Sequence, residues 1–302
     1  MKLVDLSSSE IKKALCNEGL SLLTPPFSTR FFSDCPRVIQ GISSMYRDFQ
    51  LSKEKFADFD VHIRHQRRWY KPQAQFYFDD FSPFLPLPSA QDYAMLEWGL
   101  NWCYANHSHQ YLVLHAAVIA CQDRAVIMPG FPGAGKSTLT AELMLNGWRL
   151  FSDELALIDE AGKLIAAPRP VSLKNASIDI ISQRHPDALF TKPAKDTNKG
   201  TVAHLKLEQS EAIEHCEASP FVIVFPKYVA NSELNTQYMD PAEALVSMAE
   251  QGFNYHILGA EGFRRLSMVV EQSRCFKLEY SSLDDAVAWF TELSGASCAA
   301  DL

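Results

Sequence analysis

AVIMPGFPGAGKSTLTAELMLNGWRLFSDELALID, residues 125–159, is the stretch on which the fold turns. An apolar run with β-branched Val126 and Ile127 leads into Gly130-x-x-x-x-Gly135-Lys136-Ser137, and a helix-like run closed by Gly147 follows. Strand, glycine-rich loop and helix N-terminus together are the context a phosphate-binding P-loop requires. Gly130, Gly133 and Gly135 let backbone N–H groups turn inward, so the loop and the positive helix end form an anion nest. The predicted nucleotide contacts are Gly130, Gly133, Ala134, Gly135, Lys136, Ser137 and Thr138. Lys136 is expected to reach β- and γ-phosphate oxygens, with the Ser137 hydroxyl on an accompanying Mg²⁺. ATP and Mg²⁺ are the cofactors this implies. A purely structural glycine turn is the competing reading.

Working outward, a run from Gln110 to Ala120 (YLVLHAAVIA) reads as a buried strand joined to the loop strand by the polar turn Cys121 to Arg124. Ser89 opens a helix whose Tyr93, Leu96, Leu100 and Tyr104 recur at helical spacing. Before it, residues 1–88 form a separate α+β region: a short helix capped by Ser9 and ended by Gly19, then strands at Phe27–Phe32, Phe59–Ile63 and Gln75–Phe78. The basic cluster Arg64, His65, Arg67, Arg68 reads as a solvated strand end. After the loop helix come a strand ending in Ser152-Asp153-Glu154, an apolar run to Asp159, strand-like pieces at Lys163–Ala167 and Pro170–Leu173, and a helix near Ala176–Gln183. Residues 185–202 are polar, contain two prolines and a glycine, and read as a long mobile loop. A buried strand at Phe221–Pro226 follows, then a helix opened by Asp240-Pro241, a helix over Glu261–Cys275, a strand at Phe276–Tyr280 and a last helix over Ser282–Leu293.

Composition excludes several classes. The 302 residues are 47% hydrophobic and 21% charged, with a net charge of −8 and a pI near 5.6. An acidic chain lacks the counterion-release drive for general nucleic-acid binding. No stretch has the length of a bilayer span, and the start is polar, so the expectation is a cytoplasmic protein with neither nucleic-acid nor membrane partners. The seven cysteines are scattered with no zinc spacing, and are expected to be reduced.

Two further features narrow the chemistry. His115 lies on the strand before the loop hairpin, and Asp153-Glu154 ends the strand after the loop helix. Phosphoryl transfer needs a cation bridging the β/γ oxygens and a carboxylate aimed at the nucleophile, which an acidic pair there would supply. An ordinary strand end is the alternative for the pair, and a satisfied core histidine for His115.

In LHAAVIACQDRAVIMPGFPGAGKST, in Asn146-Gly147-Trp148 and in Leu150 to Glu154, the sequence resembles the HPr kinase/phosphorylase family. It resembles more closely the HPr-kinase-related kinases found beside PqqD-type peptide-chaperone proteins, where FNYHILGAEGFRRL is also recognisable. The resemblance covers residues 115–175 well, 221–293 in the related subgroup only, and the first 90 residues loosely. It implies an α/β fold of the HPr kinase/PEP-carboxykinase-like type, a central mixed sheet flanked by helices over residues 89–302, with the N-terminal region added. The implied activity is ATP-dependent transfer to a Ser/Thr-type hydroxyl of a protein or peptide, with a PqqD-like protein as a further partner. Asp153 then takes the role of general base and Glu154 that of Mg²⁺ or second-sphere ligand, the two being exchangeable. His115 acts near the γ-phosphate or orients Asp153, and Lys174, Lys199 and His204 are candidates for phosphate or acceptor contact. Phe131-Pro132 departs from the family's Asp-Ser pair, and the acid expected before Lys174 is missing. Phosphorylase activity is therefore not carried over. A homo-oligomer is compatible with the resemblance, since the parent enzymes form rings. A nucleotide-holding module that positions its partner without transfer, and a small-molecule kinase, are the alternative readings.

Overall fold

The computed structural model describes residues 1–66, 71–130, 133–207 and 216–295. In chain order the elements are α1 (Ser8–Lys13), β1 (Leu20–Thr24), β2 (Phe27–Ser33), α2 (Pro36–Met45), β3 (Phe59–Gln66), β4 (Gln73–Phe78), β5 (Leu87–Pro88) and α3 (Asp92–His107). Then follow β6 (Leu112–Cys121), β7 (Arg124–Pro129), α4 (Lys136–Leu145), β8 (Arg149–Ser152), β9 (Leu155–Ile158), β10 (Leu164–Ile165), β11 (Val171–Lys174), α5 (Ala176–Arg184), β12 (Ala194–Thr197) and β13 (Gly200–Leu205). The chain closes with β14 (Glu217–Tyr228), β15 (Asn235–Tyr238), helices Pro241–Ala249, Tyr255–Leu258 and Ala260–Glu271, β16 (Arg274–Tyr280) and helix Leu283–Ser294.

These elements form two compact units, Met1–Tyr104 with Arg169–Ser210, and Ala105–Pro168 with Glu211–Leu302. The division differs from the boundary at residue 88 expected from the sequence. Residues 169–210 return to the N-terminal unit, and such a return is decided by tertiary packing, which leaves no local mark.

The first unit holds a five-stranded sheet in the order β1-β2-β3-β4-β5 and a three-stranded sheet β11-β13-β12. Its helix α1 is capped by Ser7, not Ser9: Glu10 N–H donates to Ser7 Oγ and Ser7 N–H to Glu10 Oε2, at 3.3 and 2.8 Å. The Ser-x-x-Glu spacing of a capping box fixes this choice. An aromatic knot of Phe27, Phe59 and Tyr104, with ring centroids 4.7–5.2 Å apart, fills the space against the sheet. Within the same unit Glu97 is buried; it accepts from the Tyr46 and Tyr93 hydroxyls at 2.9 and 2.7 Å and lies 3.4 Å from Arg169 Nη1. The Arg169 guanidinium also reaches Asn101 and lies 5.0 Å from the Tyr104 ring centre. The expected mobile loop at 185–202 is partly corrected: β12 and β13 form a hairpin turned at Asn198–Lys199 and tied by Thr197 Oγ1 donating to Gly200 O at 2.6 Å. Its polar residues sit on exposed positions of the hairpin, so hydrophobic alternation is weak.

The second unit is a mixed eight-stranded sheet in the order β10-β9-β6-β7-β14-β16-β15, with β8 also on β6 and β10 also on β14. Strands β7, β14 and β16 are parallel, and β6 runs antiparallel to β7 on one edge and to β8 and β9 on the other. Even-numbered residues of β6, from Leu112 to Ala120, join Leu266, Val269 and Met248 in one core. Period-two alternation puts His115 in the other set. Helix α4 packs on β6 and β8, and helix Leu283–Ser294 packs on α4, so helices flank the sheet. Among the described residues no helix is long and apolar enough to cross a membrane. Cys16, Cys35, Cys103, Cys216 and Cys275 are free thiols. Cys121 lies buried at the end of β6. Cys298 lies outside the described residues, as do Arg67 and Arg68 of the basic cluster.

Candidate functional site

The loop leaves the C-terminal end of β7 and enters α4, as the strand–turn–helix pattern predicts. Phe131 and Pro132 lie outside the described residues. Gly133 and Gly135 have φ of 92° and 85°, the left-handed region that glycine enters without steric cost. Parallel neighbours brace the turn. Tyr228 N–H, at the end of β14, donates to Ala134 O at 3.0 Å, and the Tyr280 hydroxyl, at the end of β16, donates to Gly135 O at 3.2 Å. With carbonyls of the turn tied outward, the first turn of α4 directs its N–H groups along the helix axis toward the loop opening. Lys136, the first residue of that turn, is 7% exposed, and Ser137 and Thr138 are half-buried. A cation at the positive end of a helix is disfavoured by the dipole, and becomes favourable when an anion sits beside it.

Gly135 carries a direct test. A Cβ there would lie 2.7 Å from the Tyr280 hydroxyl and 2.9 Å from Tyr228 Cβ, whereas one at Gly130 would meet, among the described residues, Ala134 Cβ at 3.7 Å. Gly135→Ala is expected to cost about 1–2 kcal/mol in backbone strain alone and to abolish the thermal shift given by Mg²⁺-ATP. Gly130→Ala should keep that shift.

The acidic pair sits two strands away on the same sheet edge. Ser152 pairs with Val118, Leu155 with His115, and Ala116 with Pro129, so past a shift earlier in β8 the register of Ser152 carries through the Asp153–Glu154 break into β9. Strand spacing puts the break about 10 Å from the start of the glycine loop. β8 runs in the direction of β7, so both discharge at the same edge, where open parallel sheets collect ligands. The break is folded by Ser152, whose hydroxyl accepts from Glu154 N–H at 3.2 Å and Leu155 N–H at 2.9 Å. Asp153 is 4% exposed. Glu154 Oε2 lies 3.1 Å from His115 Nε2, both side chains being partly buried. His115 therefore bonds Glu154, where the sequence reading offered Asp153 or the γ-phosphate. Asn254 anchors the start of β6: its Oδ1 accepts from Val113 N–H at 2.9 Å and its Nδ2 donates to Tyr111 O at 2.8 Å. It is fully buried, so its part is to hold the start of β6 in place.

The three remaining candidates belong to the first unit. Lys174 ends β11, Lys199 is at the β12–β13 turn with its ammonium 5.5 Å from the Trp98 ring centre, and His204 is 1% exposed in β13 with its ring edge-on to Tyr93. The structure thus brings together the P-loop, Asp153, Glu154 and His115 in the second unit, and Lys174, Lys199 and His204 in the first. Sequence reasoning missed Ser152, Tyr228 and Tyr280. Only Ser152 had a local signal, a serine two and three residues before N–H groups it can cap.

A glycine-rich strand–turn–helix segment and a carboxylate pair thus lie at one edge of a mixed sheet. No family model matches the chain, and no curated protein matches it. Among solved structures it is similar to the HPr(Ser) kinase/phosphatase from Coxiella burnetii, at 13% identity over 61% of this chain and 93% of that one, with a TM-score of 0.26.

Proposed function

We propose that this protein is an ATP-dependent, Mg²⁺-requiring phosphotransferase that passes the γ-phosphoryl group to a hydroxyl of a protein or peptide. The observation that carries the reading is the shared sheet edge: a braced glycine turn with buried Lys136, and two strands away the Asp153–Glu154 turn held by Ser152 and His115. The donor set fits the cation, because Mg²⁺ prefers hard oxygens and the Ser137 hydroxyl and a carboxylate supply them. When bound, Mg²⁺ neutralises charge on the β/γ oxygens.

The chain's own residues do the rest. Lys136 and the α4 amides hold the phosphate tail, and Asp153 accepts the proton of the acceptor hydroxyl as its oxygen bonds to the γ-phosphorus. The bond from that phosphorus to the β–γ bridging oxygen breaks, and ADP leaves with the electron pair. His115, through its bond to Glu154, fixes the orientation of the second carboxylate, which would serve as a Mg²⁺ ligand. Incubating the purified chain with Mg²⁺-ATP and candidate peptides, followed by mass spectrometry, should show a gain of one phosphate. Absence of transfer to any peptide or PqqD-like partner, with ATP bound, would overturn the reading. A metabolite that competes with ATP turnover where peptides do not would instead point to a small-molecule acceptor.

A second reading has an observation of its own. With Asp153 only 4% exposed, access for an acceptor hydroxyl is narrow, which favours a module that holds ATP to position a PqqD-like partner.

A further inference from the structure

Strands β2 and β3 run parallel and end their pairing at Ser33 and Ile63. Past that point the chain makes three chemically different donors converge. Asp34 follows β2, Cys35 caps α2 with Pro36 as its first helical residue, and His65 stands two residues beyond Ile63 in β3. A carboxylate oxygen of Asp34, Sγ of Cys35 and a ring nitrogen of His65 all lie within 4.8 Å of one another.

The backbone fixes this arrangement. Ser33 Oγ donates to Ile63 O at 2.9 Å and accepts from Cys35 N–H at 3.1 Å, while His65 N–H donates to Asp34 Oδ1 at 3.0 Å. Cys35 is fully buried, and Asp34 and His65 are exposed, so the cluster has an inner sulfur and an outer face open to solvent.

The geometry points to a binding site for a divalent transition metal of the zinc class on Asp34, Cys35 and His65. One sulfur, one imidazole nitrogen and one carboxylate oxygen form a borderline-soft set that selects Zn²⁺ or Co²⁺ over Mg²⁺ and Ca²⁺. Three protein ligands leave a fourth tetrahedral position on the solvent side. The Asp34 carboxylate attracts a divalent cation, and binding of that cation to sulfur displaces the thiol proton to solvent. A bound ion would pin the ends of β2 and β3 to the first turn of α2. This site is independent of the P-loop and of the proposed phosphotransfer.

The test uses the full chain, stripped with a chelator and titrated with Co²⁺. One equivalent should bind with a thiolate-to-cobalt charge-transfer band, which Zn²⁺ bleaches. His65→Ala and Asp34→Ala, both at exposed positions, should weaken binding by more than the roughly 10–100-fold that loss of an outer-sphere partner costs. Cys35→Ser should remove the band. A wild-type chain without the band, or a band and affinity unchanged in His65→Ala and Asp34→Ala, would overturn the assignment, whether or not Cys35→Ser folds.

Discussion

Asp153→Asn should lower phosphoryl transfer by about 10²–10⁴-fold while leaving the affinity for Mg²⁺-ATP close to that of the parent chain. Asparagine has the same shape as aspartate, so a side chain that is 4% exposed can be replaced with little repacking. Its amide cannot take a proton from the acceptor hydroxyl. The glycine turn, its tyrosine braces and Lys136 are untouched, so nucleotide capture persists. Turnover by single-turnover kinetics and affinity by calorimetry separate the two quantities. If turnover is unchanged, Asp153 is not the base. If the parent chain transfers nothing and both forms exert the same effect on a PqqD-like partner, the nucleotide-holding module is the correct reading.

Arg169→Ala should destabilise the first unit by about 3–5 kcal/mol at neutral pH, because it leaves the buried carboxylate of Glu97 without its counter-charge. Arg169 and Glu97 are both nearly inaccessible. Burial already raises the Glu97 carboxyl above its ordinary value of 4.5, opposed by Arg169 and by the Tyr93 and Tyr46 hydroxyls. Removing the guanidinium raises it further. An acid raised in the folded state binds protons more readily there than in the unfolded chain. Its penalty is therefore absent below pH 4.5 and grows as pH rises from there through the folded-state value. Urea unfolding followed from pH 4 to pH 8 should show the deficit widening with pH, and Glu97→Gln in the Arg169→Ala background should restore part of it. A deficit independent of pH would assign the loss to the Arg169–Tyr104 packing instead.

Legibility in the sequence followed the range of the forces involved. The loop strand, the glycine turn and α4 were readable because each rests on contiguous residues: β-branched Val126 and Ile127, glycines at positive φ, and a helix run stopped at Asn146-Gly147. β2, β3 and β4 were readable from alternation. Helix α2 went unseen because its PRVIQGISSM mixes a proline start, a glycine and β-branched residues, all poor helix signals, although its apolar stripe of Val38, Ile42 and Met45 packs inward. The candidate site was half legible. Asp153, Glu154 and His115 could be named, but that His115 grips Glu154 follows from the register of β6 against β9. The tyrosines bracing the loop depend on the order β7-β14-β16, set by pairings between strands far apart in sequence, such as Val126 with Val222 and Val222 with Arg274. Asp34, Cys35 and His65 meet for the same reason.

The interleaving of the two units has a consequence for biogenesis. As the chain leaves the ribosome, the sheet of β1 to β5 emerges early, yet Glu97 waits for Arg169, and the strands that complete that unit come only after the P-loop strand and α4 have been made. The P-loop strand in turn waits for β14 to emerge before its parallel partner exists. Neither half can mature alone in order of synthesis, so truncated or stalled products should be poor folders.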